Sequence, residues 1–128
     1  MPVSHSIDTQ HPLVYTVFSG KVTDEDFDDH LRSLRADPRF ESTMAELVDL
    51  REVTDVSLSP DTIHSSARWE LHAAQARRAV VAPTDVLFGL ARMYQSYVGE
   101  PAESQFRVFR TLAPALAWVG LEVPPTTP

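Results

Sequence analysis

Apolar positions change their period repeatedly along the chain, and each change marks an element. Val3–Asp8 and Leu13–Ser19 are strand-like, separated by Thr9-Gln10-His11-Pro12, which suits a turn. Gly20 is expected to end the second strand. Thr23 then caps a helix with Asp24, Glu25 and Asp26 in its first turn. Phe27, Leu31 and Leu34 share one face of that helix, which stops before Asp37-Pro38. Met44–Leu50 has apolar residues on both faces, as a strand covered on both sides requires. Arg51–Leu58 reads as a loop or short extended piece.

Ser59-Pro60-Asp61 starts a second helix, expected to run to about Arg77 with Ile63, Ala67, Leu71 and Ala74 as its stripe. Ala79–Ala82 is a short buried strand stopped by Pro83. Thr84-Asp85 opens a third helix that Gly99 ends, and Gln105–Arg110 is the last strand. Thr111 caps a final helix that Gly120 stops. The order β-β-α-β-α-β-α-β-α predicts an α/β fold: a mixed, mostly parallel sheet with helices packed on it. Residues 1–121 form one expected domain, and 122–128, rich in Pro and Thr, an expected flexible tail.

Composition narrows the function more than it names it. The 128 residues contain no Cys, which excludes thiol nucleophiles, disulfides and cysteine-ligated metals. Net charge is −7, with 13 acids and 5 bases in residues 1–64. So acidic a chain lacks the basic footprint of nucleic-acid binding. No basic, apolar leader and no span of about 20 apolar residues is visible, so a cytoplasmic location is expected.

Several strings spread over nearly the whole chain resemble one family. They are Gly20-Lys-Val-Thr-Asp-Glu-Asp-Phe27, Asp37-Pro-Arg-Phe40, Leu47-Val-Asp-Leu-Arg51, Ala79-Val-Val-Ala-Pro-Thr-Asp85, Gly89-Leu-Ala-Arg-Met-Tyr94 and Arg107-Val-Phe-Arg110 leading to Ala117-Trp118. Together they resemble the SpoIIAA-like proteins of the STAS superfamily, also grouped with small CRAL-TRIO-like domains. The resemblance implies a SpoIIAA/STAS-like sheet. Relatives that antagonise anti-sigma factors carry a phosphorylatable serine in an Asp-Ser-Ser-Gly-like string, after a strand ending Asp-Leu-Ser. Asp49 and Leu50 match that ending, but Ser57, Leu58, Ser59 and Pro60 stand where the serine string belongs.

The remaining candidate chemistry is sparse. Ser57 and Ser59 lie near the family's phosphorylation site, yet Ser59-Pro60 suits a plain helix cap. Asp85 sits after a strand, where α/β folds often hold ligands, but its charge would repel phosphate and favours helix capping. The histidines lack metal-ligand spacing; His64 and His72 are about 80° apart on a helix. No nucleophile elbow, phosphate loop or catalytic triad is legible, so no enzyme activity and no cofactor are expected.

The third helix carries apolar stripes through Leu87, Leu90, Ala91, Tyr94 and Val98, and through Val86, Leu90, Met93 and Tyr97. That breadth predicts burial on more than one side, and Gly89 predicts close packing there. Trp69 lies about 240° from Ile63 on the second helix, beside Ser65, His72, Ala73 and Ala76. Either the loop before the helix or a neighbour covers this indole, or it anchors a homodimer contact with Trp69, His72 and Ala73 at its centre. Two functions follow: a non-enzymatic regulatory or protein-interaction domain, or a small carrier or sensor of an apolar, lipid-like ligand. A cavity favours the carrier, and a flat apolar patch favours the interaction domain.

Overall fold

Asp8 closes the first turn: its carboxylate accepts the Gln10 backbone N–H at 2.9 Å. The chain therefore doubles back, and β1 (Val3–Asp8) pairs antiparallel with β2 (Leu13–Thr23). Thr23 ends β2 and caps α1 (Asp24–Ala36) in a capping box with Asp26. There follow β3 (Ala45–Ser57), α2 (Pro60–Arg68), β4 (Arg78–Val81), α3 (Asp85–Val98), a 3-10 turn (Ala102–Gln105), β5 (Phe106–Phe109) and α4 (Leu112–Trp118). This computed structural model describes residues 2–68, 71–126 and 128.

The sheet order is β1-β2-β3-β4-β5, and every pair after the first is parallel. The mixed α/β sheet expected from the sequence is the one observed. Strand alternation sorts its side chains. Leu13, Tyr15, Val17, Leu47, Ala79 and Val81 form one buried face with Ala115 and Leu116 of α4. On the other face, Val80 and Phe106 pack with Ile63 of α2 and Leu87, Ala91 and Tyr94 of α3. Leu34 of α1 closes that side over Val14 and Met44.

Several boundaries depart from the sequence reading. Gly20 does not end β2. It takes φ +64° between two register shifts, and the strand continues to Thr23. Of the two alternatives for Arg51–Leu58, the extended one is observed: β3 continues as strand to Ser57. Between Val17↔Asp49 and Lys21↔Asp55, β3 spends six residues where β2 spends four. These bulges break period-two alternation, so Val53 and Val56 both reach the interior despite their odd spacing. The second helix is described only to Arg68, and Leu71–Arg77 is irregular. Leu71 packs beside Val14, Leu34 and Met44, and the Ala73 N–H donates to Ser42 O at 2.8 Å. Those contacts override a strongly helix-forming sequence.

Helix α3 is buried on one side only: Leu87, Ala91 and Tyr94 are inside, while Val86 is 63% and Tyr97 43% exposed. Gly89 is exposed, and a Cβ there meets nothing within 4 Å, so close packing is not its reason. Gly89→Ala is expected to stabilise the protein by up to about 1 kcal/mol, read as a higher urea midpoint with an unchanged slope.

Candidate functional site

A carboxylate at the start of the central strand β3 builds the site. Glu46 stands opposite Arg78 on β4 and Val14 on β2, all facing α1–α3. It is 2% exposed. Thr16 of β2 donates its hydroxyl to Glu46 Oε2 at 2.8 Å. His30 of α1 brings Nε2 to 3.5 Å from the same oxygen. Oε1 lies 3.5 Å from His72 Nε2 and 3.9 Å from Arg78 Nε. All five residues are buried. Burial alone pushes the Glu46 carboxyl up; the His30 hydrogen bond and the charges of His72, His30 and Arg78 outweigh it and hold the group below the ordinary carboxylate range.

Helical and strand spacing explain how these groups meet. His30 lies one turn beyond Phe27 on the sheet-facing side of α1. Its ring stands edge-on to Phe18 at 5.5 Å between centroids. His72 stands edge-on to Phe40 at 5.3 Å. The Arg78 guanidinium carbon lies 4.9 Å from the Phe106 ring centroid. His30 Nδ1 is buried and has no hydrogen-bond partner among the described residues.

Above this cluster lies a cavity of about 110 Å³ between the sheet and α1–α3. Phe18, Val48, Leu50, Ile63, Val80 and Tyr94 contribute to its largely apolar wall, and His30, Glu46, His72 and Arg78 form the polar part. Its volume approaches the roughly 150 Å³ of an apolar protein cavity that takes benzene. Charged groups joined to an apolar wall can orient one polar atom of a small guest while the rest of the guest stays out of water.

The residues singled out from sequence fall in different places. His72 belongs to the cluster, but it points inward rather than lying on an outer helix face, because the helix does not extend to it. Ala73 is half-buried in the irregular segment. Trp69 lies outside the described residues. Ser57 is exposed at the end of β3. Ser59 is a helix cap: its Oγ accepts the Thr62 N–H at 3.1 Å, and its own N–H donates to Asp24 Oδ1 at 2.8 Å. Ser59→Ala is expected to lower stability by about 1 kcal/mol in equilibrium urea unfolding. Asp85 is not the cap of α3, because Thr84 Oγ1 accepts the Leu87 N–H. Instead Asp85 is exposed and pairs with Arg110 at 2.8 Å. Among the described residues, no group of three or more His, Asp or Glu side chains is placed to hold a metal ion.

The sequence reading passed over Thr16, His30, Glu46 and Arg78. One signal was available: Glu46 is an acid inside the apolar run Met44–Leu50 of a strand expected to be covered on both faces. A second buried polar group, on the opposite face, is the matched Asp49. It accepts Tyr15 Oη at 3.0 Å and Arg51 Nη2 at 2.9 Å. Burial pushes Asp49 up, but bonds from Arg51 and Tyr15 hold it below its ordinary value.

The described fold is SpoIIAA-like. A solved structure with this fold, an uncharacterised protein of the DUF3478 family from Shewanella loihica PV-4, superposes with a TM-score of 0.60. The match covers 91% of this chain and 93% of that one at 17% identity. No protein-family model matches the chain, and no curated protein matches it at a significant level. Among the described residues, no helix is long and apolar enough to cross a membrane.

Proposed function

We propose that the protein is a non-enzymatic binding domain that carries or senses a small, largely apolar molecule. The observation supporting this reading is the cavity over the sheet, apolar along most of its wall and joined to the buried Glu46 cluster. The phosphoswitch role implied by the family resemblance has less support. The Ser59 N–H is already bound to the Asp24 carboxylate, whose charge opposes a phosphate there. The test is native mass spectrometry of freshly purified protein, with thermal shifts for benzene-sized compounds. A retained small molecule, or stabilisation lost in the cavity-filling variant Ala91→Leu, supports the proposal. A bare chain that none of these compounds stabilises overturns it.

A protein-interaction domain is the second reading, favoured by Val86 and Tyr97. They are both exposed and about 20° apart around α3. Sedimentation of wild type and Tyr97→Lys tests it: an oligomer that dissociates in the variant favours this surface, and a monomeric wild type removes the homodimer.

A further inference from the structure

Resting on the binding reading above, we propose that the cavity selects a small neutral molecule bearing a hydroxyl group, an alcohol or a phenol, whose O–H donates a hydrogen bond to Nδ1 of the neutral His30 ring. The assignment starts at Glu46. His30 Nε2 faces Glu46 Oε2 at 3.5 Å, so in the neutral form of the ring, the form proposed for the guest-bound state, the hydrogen belongs on Nε2, where it points at the carboxylate. Nδ1 is then a lone-pair acceptor. It is buried without a partner among the described residues, in a side chain only 7% exposed that borders the cavity. Buried acceptors are seldom left unsatisfied, and a donor on the guest completes this one.

The wall limits what can carry that donor. Its apolar side chains make a desolvated ammonium expensive. A carboxylate has no proton to donate and would enter beside the Glu46 charge. A hydroxyl is the donor that crosses an apolar wall at least cost, and the volume of about 110 Å³ suits a body near the size of one aromatic ring.

Phenol, benzene and benzoate share that body and differ in the group offered to His30. Titrations by calorimetry are expected to show phenol binding about tenfold tighter than benzene, the return of one net hydrogen bond. Benzoate is expected to be weaker than both. In His30→Leu the phenol advantage should vanish while benzene still binds. Because that variant removes a neighbour of Glu46, the wild type supplies a second readout: phenol, and not benzene, should shift the ¹⁵N resonance of His30 Nδ1. Equal affinities for phenol and benzene, or an unmoved Nδ1 resonance, would overturn the hydroxyl assignment and leave the binding reading standing. Tightest binding by benzoate would overturn it in favour of an acid. Failure of all three compounds to bind would remove the cavity as a site for ring-sized guests, and the hydroxyl assignment with it.

Discussion

Glu46→Ala is expected to destabilise the protein by roughly 3–5 kcal/mol, the cost of breaking a buried charge cluster by removing one partner. Arg78 would keep its charge in a buried strand position, and Thr16 would lose its acceptor. Equilibrium urea unfolding measures the loss, and a change below about 1 kcal/mol would show that the cluster is not held as described. Glu46→Gln keeps the volume and separates charge from packing. The sign of the pH dependence follows from the lowered Glu46 and Asp49 carboxyls. Unfolded carboxyls titrate near about pH 4, so below that the unfolded chain binds more protons than the folded one. Their contribution is complete above about pH 5 and is lost as pH falls through 4 towards the folded values. Glu46→Gln should flatten this acid limb, leaving Asp49, together with Asp37 and Asp8, whose carboxyls are also held low by hydrogen bonds, to supply the remainder.

Ile63→Ala is expected to cost about 2–5 kcal/mol, the range for truncating a large buried aliphatic side chain. Ile63 is 1% exposed and anchors α2 over the sheet. It also lines the cavity, so truncation enlarges a space that already exists. Leu47 is equally buried but packs on the opposite face, against α4. Leu47→Ala should fall in the same range, yet only Ile63→Ala should change the affinity for a ring-sized guest. Thermal melts of both variants with and without phenol make the comparison. Identical ligand shifts in the two would place the guest elsewhere.

Local sequence determined most of the elements. Thr23 with Asp26, Asp37-Pro38, Ser59-Pro60 and Gly99 mark helix ends by chemistry that acts within one turn. The apolar faces of Leu47–Leu50 and the short run near Val80 and Val81 located the central strands, and the order of elements with the family strings led to the SpoIIAA-like sheet. What local pattern could not reach was anything set across the chain. The continuation of β3 to Ser57 depends on bulges against β2, which break the two-residue period that identifies a strand. The end of the second helix depends on contacts of Leu71 and Ala73 with residues about 30 or more positions earlier, and a helical wheel carried past Arg68 placed His72 on the wrong side. The site shows this most clearly. Thr16, His30, Glu46, His72 and Arg78 come from five separate segments, and all but Glu46 are polar residues that look ordinary in their own neighbourhood. Only the parallel register of β2, β3 and β4, with α1 laid across them, brings the groups around one carboxylate and leaves a cavity beside them.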